Sequence, residues 1–340
     1  MSEVVKLTVS QLVDRQAPSQ DLIKQSFDEI LSGNVDPILI SAFLVGLRIK
    51  GESVDDIHAA ASVMREHSTK VRAPDDVVDT CGTGGLPFKT LNTSTASAIV
   101  TAGAGGRVAK HGNRSTPPKT GSADVLETLG VRLDISPEQF DECLKHARVG
   151  FMFARQHHTA MRHVAPVRQA LSTRTIFNVL GPLTNPANAK YQVLGVFSKE
   201  WLNPLAQVLQ RLGTKKAWIV HGEDGLDEIS ITGTTHAIEI TPTTITPFSI
   251  HPDDVGLKIS SFEELKGGNS LENADAIRRL LEGEKFAFRN VVAMNAGAAL
   301  YVSQKANTHK EGVEMALESI DSGRALDTLK ALIKYSNKDS

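Results

Sequence analysis

The chain has 340 residues, 41% of them apolar and 22% charged, proportions of ordinary globular proteins that exclude a fibrous, collagenous or wholly disordered chain. Its 37 Lys and Arg nearly balance its 39 Asp and Glu, leaving a net charge of −2, so no global field draws it to nucleic acid or to an anionic membrane, and any anion binding must be local. No stretch approaches the roughly 18 continuous apolar residues of a membrane helix, and an amino terminus interrupted by Glu3, Lys6, Ser10 and Gln11 does not read as a signal peptide.

The first 70 residues read as helical. Ser19 is placed to cap a helix whose apolar residues Leu22, Ile23, Phe27, Ile30 and Leu31 recur at helical spacing before Gly33. Asp36 and Pro37 open a second, whose stretch 38–49 is apolar on nearly every side and so must pack against more than one neighbour. Ser53 with Asp56 resembles a capping pair for a third. After Ala73-Pro74 short apolar runs alternate with helical patterns: Val77-Val78, a helix after Ser94, Arg107-Val108-Ala109, and a helix ending near Gly130. That is βαβ rhythm, and it implies a mostly parallel sheet. Further strands are expected at 191–197 and 217–220 around a helix at 201–212, with Thr- and Ile-rich stretches at 229–232 and 236–240 extending one edge antiparallel. The expected fold is therefore α/β: a small all-helical N-terminal domain (1–72, joined in space by part of 160–190), a large α/β domain (73–334) with a central mixed, mostly parallel sheet, and a polar tail (335–340).

Three loops carry the chemistry. Asp79-Thr80-Cys81-Gly82-Thr83-Gly84-Gly85 follows a predicted strand and leads to Asn92-Thr93-Ser94-Thr95 at a predicted helix start. Glycines let backbone N–H groups face one concavity, and hydroxyls and the helix terminus add donors, as a phosphate or pyrophosphate cradle requires. It is neither a Walker A loop nor a dinucleotide fingerprint, since Pro87 stands where the last glycine would be needed; an ordinary capped turn is the alternative. At the end of the next strand, Lys110-His111-Gly112-Asn113-Arg114-Ser115 and the following 116–122 gather cations, amide and hydroxyls, suited to a phosphorylated sugar at the carboxyl edge of an open sheet, or else to a solvated polar loop. In Gly222-Glu223-Asp224-Gly225-Leu226-Asp227-Glu228, adjacent acids converge only if the chain turns, which Gly225 permits. Such a cluster suits Mg²⁺, which takes few protein oxygens and completes its shell with water and phosphate; a hydrated acidic turn is the plainer reading.

Other residues carry less. His157, His158 and His163 lack the carboxylate spacing of a metal site. Cys81 and Cys143 are too few for a disulfide framework, which favours a reducing cytoplasm, and Cys81 reads as a small buried side chain rather than a nucleophile.

The three loops, in their order and wording, resemble the anthranilate phosphoribosyltransferases, and the resemblance continues through Arg168-Gln169-Ala170-Leu171, Arg174-Thr175-Ile176-Phe177-Asn178 and Leu180-Gly181-Pro182-Leu183-Thr184-Asn185-Pro186. It spans about residues 20 to 330. The resemblance implies transfer of the phosphoribosyl group of PRPP to anthranilate in L-tryptophan biosynthesis, a cytoplasmic homodimer formed through the helical domain, and a site in the interdomain cleft. Gly82, Gly85, Leu86, Thr90, Asn92, Thr93, Ser94, Thr95, Lys110, His111, Gly112, Asn113, Arg114, Ser115 and Ser122 would hold PRPP. Gly82, Asn113 and Arg168 would contact anthranilate, and Ser94, Asp227 and Glu228 would serve Mg²⁺, two ions per site. No residue is assigned as general acid or base.

Two departures from the family pattern stand out. Gly85-Leu86-Pro87 replaces a common Gly-Asp-Gly, and Pro117-Pro118 replaces a common Ser-Ser; both changes remove N–H or side-chain donors and stiffen the loops. Lys89 is expected to restore some affinity for pyrophosphate. A relative using another aromatic amine, a phosphorolytic relative, and a non-catalytic nucleic-acid-binding relative are the competing readings. The last would require a basic stripe, against which the balanced charge and Asp227-Glu228 both speak.

Overall fold

The computed structural model describes residues 2–85, 88–115 and 120–338. Four helices open the chain: α1 (Glu3–Val13), α2 (Gln20–Leu31), α3 (Pro37–Lys50) and α4 (Val54–Glu66). Their starts are where the sequence puts them. Ser19 Oγ accepts from Leu22 N, Asp36 Oδ1 from Ile38 N, and Ser53 with Asp56 forms a reciprocal capping box, satisfying donors that a helix start leaves orphaned. Helix α1 lies within the stretch read as helical but was given no start or stop of its own; its apolar residues are interrupted by polar ones, and it packs against both α3 and α2, with Val5 and Leu12 buried.

The α/β region follows as β1 (Val78–Gly82), α5 (Thr93–Gly103), β2 (Val108–Gly112), α6 (Ser122–Thr128), α7 (Pro137–Ala147), β3 (Val149–Phe153), α8 (Ala154–His157), α9 (Ala165–Leu171), α10 (Phe177–Leu180), β4 (Tyr191–Gly195), α11 (Leu202–Arg211), β5 (Lys216–Gly222), β6 (Thr235–Ile240), β7 (Ile245–Ile250), α12 (Ser270–Leu281), α13 (Ala287–Val302), α14 (His309–Asp321) and α15 (Arg324–Ser336). Seven strands lie in the order β3-β2-β1-β4-β5-β6-β7. The pairs from β3 to β5 are parallel and those from β5 to β7 antiparallel, the mixed, mostly parallel sheet expected. Pro247 sits in β7, at the edge of the sheet, where a residue without an N–H is tolerated.

Successive residues of a strand face opposite sides of a sheet, and the cores follow that period. Tyr191, Val193, Trp218, Val220 and Ala237 pack with α5, α13 and α15 on one face. Leu194, Ala217, Ile219, Ile238 and Ile240 join α11 and the N-terminal helices on the other. Phe27 of α2 meets Phe43 of α3 and Phe177 of α10 edge-on, with centroids 5.2 and 5.8 Å apart. Such pairs contribute about 0.5–1.5 kcal/mol each beyond burial; the first ties α2 to α3, and the second fastens the returning segment to the helical bundle.

Two expectations are corrected. Residues 229–232 are not a strand: Asn295 Oδ1 accepts from Ile229 N, Thr235 Oγ1 from Ser230 N, and Ser230 Oγ from Thr232 N, so side chains take the donors that a sheet ladder would need. The polar tail begins later than its composition implies. Tyr335 and Ser336 end α15, Tyr335 stacks on His146 at 4.2 Å, and the buried Ser336 Oγ accepts from Arg132 N.

Candidate active site

Strands β1, β2, β4 and β5 end at one edge of the sheet, each on a glycine: Gly82, Gly112, Gly195 and Gly222. In an open α/β sheet that carboxyl edge is where ligands bind. The acidic turn after β5 folds back across it, with Gly225 at φ 86° making the reversal. A Cβ on Gly82 would lie 2.3 Å from Asp227 Oδ2, and one on Gly195 would lie 1.6 Å from the Asp227 carbonyl oxygen. Only glycine lets the turn approach this closely. Asp227 Oδ2 accepts from Gly84 N at 2.7 Å, and Glu228 Oε1 from Thr93 Oγ1 at 2.8 Å. The first and third loops of the sequence are thereby one structure, enclosing a small cavity lined by Thr80, Ser94, Gly195, Asp227, Glu228 and Asn295.

The electrostatics of the two acids are those of an uncompensated pair. Burial raises Asp227 to about 6, partly offset by the Gly84 N–H. Glu228 is pushed well above the usual carboxylate range by burial and then by the neighbouring Asp227 charge, against the Thr93 hydroxyl. Asp224, three residues earlier, serves the turn itself, accepting from Ser230 Oγ, Thr232 Oγ1 and Leu226 N.

Beneath lies a basic group. Lys110 is 3% exposed, and its ammonium donates to Thr80 O and, at 3.2 Å, to Ser94 Oγ. Burial lowers its pKa and the Asp79 charge opposes that; Asp79 is raised by burial and held down by Lys110. Gln192 Nε2 donates to Asp79 Oδ2, Cys81 Sγ and Pro182 O. The Cys81 thiol is pushed well up by burial and by Asp79, so the thiolate that a nucleophile needs is disfavoured.

Next along β2, His111 is held well below its usual range by burial and by His158, whose own pKa burial lowers to about 4. Their rings lie 5.1 Å apart, and both buried Nε2 atoms lack hydrogen-bond partners among the described residues. His157 bonds Thr69 O through Nδ1, and His163 accepts from Arg162 Nε, so the three helical-segment histidines serve separate contacts. Asn113 Oδ1 accepts from Arg114 N, and its carbonyl from Ser122 Oγ. The Arg114 guanidinium is held by Asp124 and Glu127, and Asp124 also accepts from Ser115 N. Arg114 and Ser115 are thus engaged with α6. Thr90 pairs with Lys266 in an isolated antiparallel bridge, and the Thr95 hydroxyl is buried with no hydrogen-bond partner among the described residues. Leu86, and with it Pro87, Pro117 and Pro118, lies outside the described residues.

Arg168, on α9, stands apart from this cluster. Its guanidinium lies 5.5 Å from the Phe177 ring centroid, burial lowers its pKa, and no side-chain hydrogen bond is formed to it among the described residues. It is a half-buried cation available to an anionic ligand. Sequence reasoning passed over three residues that the fold brings here. Arg174 donates to Gly85 O at 2.9 Å while lying 3.9 Å over Phe197. Asn295 reaches the cavity from α13, and Asn273 of α12 bonds Asn92. The two asparagines had no motif to announce them.

Comparison with known proteins follows the same division. The sequence matches the Glycosyl transferase family, helical bundle domain over residues 8–68 and the Glycosyl transferase family, a/b domain over residues 74–326. It is 52% identical over 339 residues to an anthranilate phosphoribosyltransferase of Hyphomonas neptunium, covering 99% of each chain. The structure is similar to an anthranilate phosphoribosyltransferase from Thermus thermophilus, with a TM-score of 0.92 and 41% identity over 97% of this chain and 99% of that one. It is also similar to the Saccharomyces cerevisiae anthranilate phosphoribosyltransferase in complex with PRPP and Mg, with a TM-score of 0.90 and 29% identity, covering 98% of each.

Proposed function

The chain belongs to the anthranilate phosphoribosyltransferase family, and from that premise we propose that this cleft transfers the 5-phosphoribosyl group of PRPP to the anthranilate amine, releasing pyrophosphate and N-(5-phosphoribosyl)anthranilate in L-tryptophan biosynthesis. The observation that carries the assignment of the site is the bond from Gly84 N to Asp227 Oδ2. It brings the glycine cradle and the acidic turn together, as a ligand that is both a polyphosphate and a metal chelate would need.

Among the described residues no cluster of three or more Cys, His, Asp and Glu could hold a metal by itself. Two carboxylates and the Ser94 hydroxyl fit an ion that leaves much of its shell to substrate oxygens and water, and the raised pKa values mark negative charge in need of a cation. Asp227, Glu228 and Ser94 would hold Mg²⁺, two ions per site, and bound Mg²⁺ would neutralise charge developing on the departing pyrophosphate. N–H groups of the 82–85 loop and the start of α5 would receive the pyrophosphate. Lys110 would add positive charge beneath, and Asn113 and Ser122 would border the phosphorylated sugar, with the backbone of 111–115 completing that wall. Arg168 and Asn113 would orient anthranilate, with Gly82 leaving room for its approach.

An aromatic amine is a nucleophile at neutral pH, so the protein's work is alignment and electrostatic stabilisation rather than proton transfer. We assign no general acid or base. We also place the protein in the cytoplasm as a homodimer joined through the helical domain (1–72), beside the α/β domain (73–334). Val13, Ile38 and Ile49 on α1 and α3 are 75%, 81% and 82% exposed, an apolar face of the kind that subunit contacts cover.

The test is loss of anthranilate fluorescence with PRPP and Mg²⁺. Native protein should consume anthranilate, and Asp227→Ala/Glu228→Ala should fall by about 1,000-fold or more, as expected when several kcal/mol of charge stabilisation is lost. No metal-dependent turnover by the native protein would refute the assignment.

A further inference from the structure

Asn273 lies in the first turn of α12, nearly 200 positions from the glycine loop in sequence, and its side chain is completely buried. Every polar atom of that side chain is engaged. Oδ1 accepts from Gly268 N at 2.8 Å, and Nδ2 donates to Asn92 Oδ1 at 2.8 Å and to Thr90 O at 3.2 Å. Asn92 turns its own Nδ2 to Thr120 O at 3.1 Å, and Thr120 Oγ1 donates to Gly268 O at 3.0 Å. The contacts close a ring: Asn273, Asn92, Thr120, Gly268 and back to Asn273.

The ring joins the ends of both loops assigned to PRPP. Asn92 is the residue before α5, yet its side chain makes no capping bond to the helix; its amide is held instead between Asn273 and Thr120. Thr120 ends the second loop, just before Ser122 opens α6. Because a carboxamide presents one acceptor and two donors, Asn273 dictates which way the Asn92 amide faces, and that orientation dictates which atom meets Thr120.

We propose that Asn273 is a positioning residue for PRPP: it touches no substrate, but through Asn92 and Thr120 it sets the spacing of the two phosphate-binding loops. The inference rests on the PRPP reading above. A buried, fully satisfied amide is hard to replace, because removing it leaves the Gly268 N–H and the Asn92 and Thr90 oxygens without their partner. The α12 element thereby governs a site to which it contributes no ligand group.

Steady-state kinetics of the full-length protein separate this from a purely structural role. Asn273→Ala should raise the KM for PRPP about tenfold while the KM for anthranilate stays within about twofold, from the loss of the three hydrogen bonds that its amide makes. Thr120→Val, which keeps the shape and removes the hydroxyl, should raise the KM for PRPP about threefold, and Thr120→Ser should restore it. The double variant Asn273→Ala/Thr120→Val should be little worse than Asn273→Ala, since an opened ring cannot be opened twice. Should Asn273→Ala fail to fold, the two Thr120 variants carry the test. Parallel rises in both KM values, or no effect of Thr120→Val, would overturn the ring's role while leaving the enzyme reading intact. A native protein without PRPP-dependent turnover would overturn that reading and this inference with it.

Discussion

Two charged regions face each other across the carboxyl edge of the sheet, and they solve opposite problems. Lys110 is buried among groups that answer its charge: the Thr80 carbonyl, the Ser94 hydroxyl and the Asp79 carboxylate nearby. Among the described residues Asp227 and Glu228 have hydrogen bonds from the Gly84 N–H and the Thr93 hydroxyl but no ion-pair partner, and they repel each other. The positive charge is part of the folded structure, whereas the negative pair is a demand that the protein alone leaves unmet. Buried ionisable groups in such straits cluster at functional sites, and the asymmetry says which side awaits an ion.

The comparison is broken most sharply by neutralising one member of each region. Lys110→Met should lower kcat/KM by about 100-fold, the scale for losing one preorganised charge donor. It should also destabilise the protein by roughly 2 kcal/mol, because the Thr80 carbonyl and Asp79 lose their cation. Glu228→Gln keeps an acceptor for the Thr93 hydroxyl and removes the repulsion with Asp227. Activity should fall, yet at a pH high enough to ionise both acids in the native protein the metal-free variant should melt about 1–2 °C higher, in keeping with a gain below about 1 kcal/mol in a chain of this size. Opposite signs in thermal melts without metal support the asymmetry; destabilisation by both substitutions would remove it.

A pH series sharpens the same contrast. Asp227 titrates at about 6 in the folded protein, raised from the ordinary 3.8 by burial. A carboxyl whose folded pKa is raised binds its proton more tightly when folded, so its contribution to stability is greatest below pH 4 and is lost as pH climbs through 6. Above 6 the Asp227 carboxylate is free to meet a metal ion; below 6 the ion must displace the Asp227 proton as well, and its affinity falls by up to about tenfold per pH unit. The rise in melting temperature on adding Mg²⁺ should accordingly be larger at pH 7.5 than at pH 5. An equal rise at both would place the metal elsewhere.

How much of this was legible beforehand depended on the range of the interactions. Helix starts were readable because a cap is a contact of two or three residues, as at Ser19, Asp36 and Ser53. The glycine loop and the acidic turn were readable as separate chemistries, each with its own composition. Their union was not, since a bond between residues 84 and 227 leaves no trace in either segment. Strand β3 escaped because Val149-Gly150-Phe151-Met152-Phe153 is a short apolar run that periodicity cannot distinguish from buried helix. The segment 229–232 misled in the other direction, having strand-forming residues whose backbone donors Asn295, Thr235 and Ser230 capture. Asn273 is the extreme case: an ordinary helix-opening sequence whose side chain meets partners near residue 90.

Lys89 gives the smallest and most local test of the charge contrast. Unlike Lys110 it is exposed, and among the described residues its side chain forms no hydrogen bond or ion pair, while its carbonyl accepts from Gly267 N. An exposed charge acts through high-dielectric solvent and is screened by salt, so its effect is bounded at about 1 kcal/mol. If it compensates for the donors lost at Leu86-Pro87, Lys89→Ala should raise the KM for PRPP about two- to fivefold, leave kcat and the melting temperature unchanged, and lose its effect as ionic strength increases. A salt-independent change would mean that Lys89 acts by holding the loop backbone, and no change at all would remove the compensation and leave PRPP to the other groups proposed for it, the buried Lys110 among them.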